Sequence, residues 1–227
     1  MTDQDQGPAG SATLDACAGS CAIPVPARMD ALAPAVRTVL WLSGASLAWM
    51  TAEGALGLYA GVRANSLSLV GWALGSVIEG LASVIVIWRF TGRRRLSEHA
   101  ERRAQQGVAV SFWLLAPYLA VQAFRDLLGA HQVGTTALGV AVTGSSLLVM
   151  PVLGLAKRRL AVRVGSAATA GEGTQNLLCA AQALAVLLGL GVHVVTGANW
   201  VDPAVALLLG GWAVREGRVA WRGGDCC

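Results

Sequence analysis

The chain has 227 residues and a net charge of +4, and its composition is 55% hydrophobic and only 13% charged, with a mean hydropathy of +0.57. These values exclude an ordinary water-soluble domain of this length, which would need a polar face along each helix or strand. They are typical of an integral membrane protein, so a lipid bilayer is the first partner that we expect.

The N-terminal residues 1–35 differ in composition from everything that follows. They are rich in Gly, Ala, Pro and Asp, and they include the cysteine pair Cys17 and Cys21. No basic segment followed by an apolar one occurs here, so we expect no cleavable signal peptide. The composition predicts a disordered tail.

Six apolar stretches follow in chain order, and a helix of about twenty residues is long enough to cross the ~30 Å hydrocarbon core of a bilayer. The fourth stretch carries no charge between Thr135 and Ala156. The sequence therefore predicts an all-α polytopic membrane protein, a bundle of six transmembrane helices within residues 36–218. The predicted spans are Val39–Ala60, Ser66–Trp88, Val108–Leu128, Thr135–Leu155, Gly173–Val195 and Trp200–Val214.

Basic residues predict the orientation of these spans. With six spans, 15 of the 17 Lys and Arg fall on one side, and only Arg63 and Arg125 fall on the other. The positive-inside rule then places both termini in the cytoplasm and the chain in the inner (plasma) membrane. Since membrane insertion accounts for the basic runs, we expect no nucleic acid as a partner.

Acidic residues within or beside the apolar stretches are the strongest functional signal. Glu79 lies near the middle of the second span, where a carboxylate costs about 2.5 to 3.5 kcal/mol and usually faces a partner, a water-filled cavity or a bound cation. Glu53 lies in the first span, and Glu172 lies just before the fifth. Three such acids in one small chain suggest a path for cations.

Two segments carry a resemblance to a known family. Asn65–Val70, followed by Gly75-Ser-Val-Ile-Glu79 and Leu81-Ala-Ser83, resembles the second transmembrane helix of the cation diffusion facilitator transporters. Gln175–Cys179, Trp200-Val-Asp-Pro203 and Arg215-Glu-Gly217 resemble their fifth and sixth helices. The chain is most similar to a short bacterial form of this family that lacks the C-terminal cytoplasmic domain and ends in a Trp-Arg-Gly and Cys-Cys tail.

The resemblance implies a metal site in the middle of the membrane. The family uses two residues four apart on helix two and two residues four apart on helix five, because residues at i and i+4 share one helix face. By position, these are Gly75 with Glu79 and Gln175 with Cys179. Glu79 and Cys179 are strong ligands and Gln175 is a weak one, whereas Gly75 has no side chain to offer.

Two further acids are candidates to complete the metal site. Glu172 lies three and seven residues before Gln175 and Cys179, on the same helical stripe, and Glu53 resembles an acid that the short group carries in helix one. A set of three carboxylates and a thiolate suits Zn²⁺ or a related transition metal better than Ca²⁺ or Mg²⁺. Two of these residues also have an interpretation without metal binding: Glu172 as a solvated acid at a helix start, and Cys179 as a small buried apolar residue.

The C-terminal residues 219–227 form a predicted short cytoplasmic tail that ends in Cys226 and Cys227. In a reducing cytoplasm both terminal cysteine pairs are expected to stay as free thiols. They are either tolerated without a role or capture a soft metal ion transiently.

The residues contain no phosphate-binding glycine loop and no nucleophile motif, so we expect no enzyme and no resident cofactor. The resemblance implies a secondary transporter that exports Zn²⁺ or a similar divalent cation in exchange for protons, as a homodimer formed through its membrane helices. One alternative is a non-transporting membrane protein that binds metal as a sensor or partner subunit. Another is an interaction protein whose acids are paired internally.

Overall fold

The computed structural model of the chain describes residues 25–63, 67–128, 137–197 and 200–222. Within these ranges the chain forms six long helices and a short 3₁₀ helix, Gly92–Leu96, and no strand. The predicted all-α fold is confirmed. The long helices are α1 Val25–Arg63, α2 Leu67–Phe90, α3 Glu98–Leu127, α4 Ala137–Val164, α5 Ala167–Thr196 and α6 Val201–Arg222.

Five of these helices, α1 to α5, have the length and apolar composition needed to cross a membrane. The sixth, α6, corresponds to the predicted last span and carries Arg215, Glu216, Arg218 and Arg222 in its second half. The protein is therefore an all-α polytopic membrane protein. The large apolar side chains on the outside of the bundle, such as Trp41 and Leu148, are the surface that lipid would cover.

Several helices extend beyond the predicted spans. The first begins at Val25 rather than Val39, the third at Glu98 rather than Val108, and the fourth ends at Val164 rather than Leu155. A hydropathy window stops at the first charges, whereas backbone hydrogen bonds continue through charged turns outside the hydrocarbon layer. The N-terminal tail was predicted over residues 1–35, but α1 already begins at Val25, so residues 25–35 are helical. Residues 1–24 and the terminal cysteine pairs lie outside the described residues.

Two arginines in the connection between α2 and α3 donate hydrogen bonds to the end of α2. Arg94 Nε donates to the Trp88 carbonyl at 3.2 Å, and Arg95 Nε donates to the Phe90 carbonyl at 2.9 Å. The last carbonyls of a helix have no partner within it, so these side chains satisfy groups at the end of α2.

The end of the bundle at which α2 ends and α3 and α5 begin carries Arg89, Arg94 and Arg95, and we call it the basic end. Glu101, near the start of α3, holds this end together. Its carboxylate accepts from Arg89 Nε at 2.7 Å, near the end of α2. It also accepts from Ser166 Oγ and from the Ala168 backbone N–H, both at 3.0 Å, at the start of α5. The end of α2 and the start of α5 therefore lie together, and these two helices run in opposite directions.

Helices α4 and α5 approach each other at backbone distance. A Cβ built on Gly154 would lie 2.8 Å from the Gly173 carbonyl oxygen, and one built on Gly173 would lie 2.8 Å from the Gly154 carbonyl oxygen. Only glycine fits at both positions, as is common where membrane helices pack closely. This close approach brings Lys157 on α4 into contact with Glu172 on α5.

Candidate functional site

Glu79 and Cys179, the two strong ligands predicted from the sequence, meet inside the bundle. Glu79 lies on α2 and Cys179 on α5, and their side chains lie close enough to interact directly. Both residues are partly buried. A carboxylate and a thiol on two antiparallel helices thus lie near each other.

Glu53 reaches the same region from α1. Glu53 is buried, with 4% of its surface exposed, and its Oε1 accepts a hydrogen bond of 2.5 Å from Ser146 Oγ on α4. Ser146 Oγ in turn accepts from Trp49 Nε1 at 3.2 Å. Glu53 lies close enough to Glu79 and Cys179 to interact electrostatically with both. It is therefore a neighbour of the pair that is held in place by its own hydrogen bond.

The space beside Gly75 is occupied by Tyr118 of α3. A Cβ built on Gly75 would lie 3.0 Å from Tyr118 Oη and 3.1 Å from two ring carbons. Tyr118 also interacts electrostatically with Glu79. Sequence reasoning overlooked this tyrosine, because it lies in an apolar span and no spacing rule connects it with Gly75.

Gln175, the weak predicted ligand, lies one turn from Cys179 on α5. Its Oε1 accepts from Ser111 Oγ at 3.1 Å, and its Nε2 is buried without a hydrogen-bond partner among the described residues. Ser83 Oγ, four residues after Glu79 on α2, is likewise buried and unpartnered there. Because α2 and α5 are antiparallel, Ser83 and Gln175 are both displaced from the Glu79–Cys179 pair toward the basic end, by about 6 Å along their helices.

Glu172, the fourth acidic or thiol candidate, is engaged elsewhere. Its Oε1 lies 2.6 Å from Lys157 Nζ, its Oε2 accepts from Ser43 Oγ at 2.7 Å, and both charged side chains are fully buried. Lys157 lies beyond Leu155, the predicted end of the fourth span, where the sequence predicts a loop; that prediction is wrong, because α4 continues through this position to Val164. Glu172 also lies about two turns, ~10 Å, from Cys179 along α5.

The lysine of this ion pair has a partner for each of its three donors. Lys157 Nζ donates to Glu172 Oε1 and to Ser46 Oγ, each at 2.6 Å. With its amide oxygen turned toward the lysine, Asn176 accepts from Lys157 Nζ at 3.3 Å and from Ser46 Oγ at 2.9 Å, and it donates to the Glu172 carbonyl at 3.2 Å. A buried charge needs this degree of pairing. Glu172 therefore belongs to a closed structural network that ties α1, α4 and α5 together.

The predicted ligands thus separate into two groups. In the first group, Glu79 and Cys179 lie next to each other, Glu53 lies near them, and Gln175 is one turn away on α5. Glu172 stands apart from this group, because it is paired with Lys157. Across the described part of the chain, no three or more His, Cys, Asp and Glu side chains are grouped so that they could hold a metal ion. The structure brings together a pair of strong ligands, not the predicted set of four.

Comparison with known proteins assigns no family to the chain. No family model matches it, and no curated protein sequence matches it. The likeness to cation diffusion facilitator transporters accordingly remains an expectation, carried by the residues quoted for it. The contacts around Glu79 are the basis on which a function can be proposed.

Proposed function

We propose that this protein is a secondary transporter that exports a divalent transition-metal cation, with Zn²⁺ as the best match, from the cytoplasm in exchange for protons. The observation that carries the proposal is that the Glu79 and Cys179 side chains approach each other inside a bundle of membrane helices. An acid at this depth is costly, and binding a cation is one of the few uses that compensate for the cost.

The chemistry of the pair favours a transition metal as the transported substrate. Zn²⁺ binds carboxylate oxygen and thiolate sulfur, whereas Ca²⁺ and Mg²⁺ take oxygen ligands alone. Cysteine binds a metal ion as its thiolate, so the Cys179 thiol must give up its proton to become a ligand. A metal ion that takes both as ligands displaces that proton, which couples metal binding to proton release.

The polar groups between the pair and the basic end support a route for the cation. Ser83 and Gln175 present buried polar atoms one turn from Glu79 and Cys179. In an apolar bundle, such atoms favour water or an ion beside them. An ion that enters from the basic end would meet these groups before it reaches the pair.

A second candidate function is favoured by the other two acids. Glu53 accepts from Ser146, and Glu172 is paired with Lys157 and Ser43, so both carboxylates already have partners within the bundle. This supports an interaction protein whose internal polar groups fix helix packing. A metal sensor or partner subunit that binds through Glu79 and Cys179 without transport is the intermediate case.

Flux measurements separate these functions. Purified protein is reconstituted into proteoliposomes that contain a zinc-sensitive dye, and Zn²⁺ entry is followed with and without a pH gradient. The transporter proposal expects flux that requires the gradient and is lost in Glu79→Gln and Cys179→Ser. The exposed acid at the start of α3 provides the matched control Glu98→Gln, which should leave the flux unchanged.

Each other outcome selects a different function. Unchanged flux in Glu79→Gln removes the site assignment. Zn²⁺ binding to the purified protein without flux, abolished in Glu79→Gln, selects the sensor or partner subunit. Absence of both flux and binding selects the interaction protein.

A further inference from the structure

Gly75 on α2 packs directly against Tyr118 on α3. Gly75 lies four residues before Glu79 and so shares its face of α2, where the resemblance places a metal ligand. The volume that a side chain at this position would need is filled from α3, since the Tyr118 hydroxyl lies 3.0 Å from a Cβ built on Gly75. The helix that lacks a side chain therefore receives a polar oxygen from its neighbour.

The Tyr118 side chain is positioned for this role by its surroundings. It is half-buried between helices, and Gln122, one turn further along α3, donates from Nε2 to its hydroxyl oxygen at 3.4 Å. Tyr118 also interacts electrostatically with Glu79. A phenol that packs against Gly75 within reach of the Glu79 charge faces the proposed site from a third helix.

We infer that the Tyr118 hydroxyl is a cation-binding group of this site, taking the place of the absent side chain at Gly75 and acting on a divalent transition-metal ion together with Glu79 and Cys179. The inference rests on the proposed function. It adds a third helix to the site, and it assigns a neutral or anionic oxygen donor to the side of the cation that faces α3. Transition-metal ions accept oxygen donors alongside nitrogen and sulfur.

The same geometry explains why position 75 is a glycine. A methyl group at 75 would lie 3.0 to 3.1 Å from the hydroxyl and two ring carbons of Tyr118, which is closer than carbon atoms normally approach. Any larger side chain would displace the ring from α2. Gly75 and Tyr118 therefore form one unit, in which the small residue on α2 makes room for the large one on α3. A small residue at 118 combined with an acidic residue at 75 should place a ligand on α2 instead.

Zn²⁺ titration of the purified full-length protein in nanodiscs tests this inference. The measurements use a background in which Cys17, Cys21, Cys226 and Cys227 are replaced by Ser, so that the terminal thiols add no binding. Tyr118→Phe keeps the ring and removes only the hydroxyl, and it is expected to weaken Zn²⁺ binding by about tenfold or more. The chain has one other tyrosine, the exposed Tyr59, and Tyr59→Phe is the matched control that should bind like the parent.

A second pair of variants tests the unit formed by Gly75 and Tyr118. Gly75→Ala is expected to weaken binding by pushing the ring away. The double variant Gly75→Asp with Tyr118→Ala is expected to recover most of the lost affinity, because it supplies an oxygen ligand from α2 and removes the ring that blocks it. Near-parental binding by the double variant supports the inference even if Tyr118→Phe fails to fold, and a folded double variant without binding overturns it.

The outcomes also separate this inference from the proposed function. If Tyr118→Phe is folded and binds Zn²⁺ within about twofold of the parent while Glu79→Gln loses binding, Tyr118 has no role and the proposed function stands. If Glu79→Gln, Cys179→Ser and Tyr118→Phe all bind like the parent, the site itself is wrong. Monodisperse elution and an unchanged helical circular dichroism spectrum define a folded variant.

Discussion

Lys157 Nζ and Glu172 Oε1 lie 2.6 Å apart, and neither side chain is exposed. This places a complete ion pair in the interior of an apolar helix bundle. Ser43, Ser46 and Asn176 satisfy the remaining donors and acceptors of the pair. The pair therefore joins α1, α4 and α5, and it lies beside the contact between Gly154 and Gly173.

Removal of one partner of this ion pair is predicted to be strongly destabilising. Lys157→Met leaves the Glu172 carboxylate buried without its cation, and such a change typically costs about 3 to 5 kcal/mol of unfolding free energy. The double variant Lys157→Met with Glu172→Gln removes both charges and should recover a large part of that loss. Reversible unfolding in mixed detergent and SDS micelles measures the free energies of the parent, Lys157→Met, Glu172→Gln and the double variant.

The matched control for this cycle is the exposed pair on α6. Arg215 Nη1 lies 3.1 Å from Glu216 Oε1, with the arginine side chain 73% exposed. Arg215→Met should change the unfolding free energy by less than about 1 kcal/mol, because water screens the pair. A double variant at Lys157 and Glu172 that is no more stable than the Lys157 single variant would contradict the assigned role of the ion pair.

The glycine contact between α4 and α5 makes a second prediction about stability. Gly173→Ala would place a methyl group 2.8 Å from the Gly154 carbonyl oxygen and from Arg158 Cγ, so the helices must separate. The expected loss is about 1 to 3 kcal/mol of unfolding free energy, as for other overpacked sites. The same unfolding assay measures it.

Gly144 is the control for that substitution, because it lies on α4 and a Cβ there would have no atom within 4 Å. Gly144→Ala should be neutral or slightly stabilising, since alanine is the better helix former. Equal losses at Gly144 and Gly173 would mean that the backbone contact between α4 and α5 does not determine stability.

Sequence patterns predicted the helices of this protein well, and the reason is physical. An apolar stretch of about twenty residues can satisfy its backbone only as a helix in a bilayer, so composition alone fixes the element type. The meeting of Glu79 and Cys179 was implied by the family resemblance, whereas the i, i+4 spacing alone gives only the face of each helix that carries the residue. Helix ends were not predictable from hydropathy, since helices continue through charged turns.

The partners of the acids could not be read from the sequence. Lys157 follows an apolar stretch and precedes three arginines, which is the pattern of a cytoplasmic loop, yet it is buried against Glu172. Only the packing of α4 on α5 decides this. Tyr118 is a similar case, because its relation to Gly75 depends on how α2 and α3 pack and leaves no trace in residue spacing.

Ser83 provides a prediction that separates transport from stability. Its hydroxyl is buried without a partner in the described part of the chain, so Ser83→Ala should change the unfolding free energy little or raise it. If ions pass this group on the way to Glu79, the same variant should lower Zn²⁺ flux by about tenfold, the effect of losing one interaction of ~1.4 kcal/mol. Proteoliposome flux and detergent unfolding are measured on the same preparation.

Ser111 is the control for that experiment, because its hydroxyl is paired with Gln175 and the Val108 carbonyl. Ser111→Ala leaves buried acceptors without their donor and should destabilise the protein by about 1 to 3 kcal/mol. A Ser83→Ala protein with parental flux would show that the cation does not contact this group.

Cys179 gives a direct chemical test of cation occupancy. Among the described residues it is the free cysteine, and with the four terminal cysteines replaced by Ser it becomes the single thiol of the protein. A thiol that binds Zn²⁺ is unavailable to a maleimide. Zn²⁺ at about ten times its Kd should therefore slow alkylation of Cys179 roughly tenfold, as mass action requires. Mass spectrometry of the quenched reaction gives the rate.

Protection of Cys179 should depend on Glu79, because the two side chains are in contact and act as joint ligands. Glu79→Gln is expected to remove the Zn²⁺ protection while Cys179 remains reactive, and Glu98→Gln should keep it. Mg²⁺ should protect neither protein, since it takes oxygen ligands. Equal protection in the parent and in Glu79→Gln would mean that the thiol binds the metal without the acid, and the pair would no longer support a shared site.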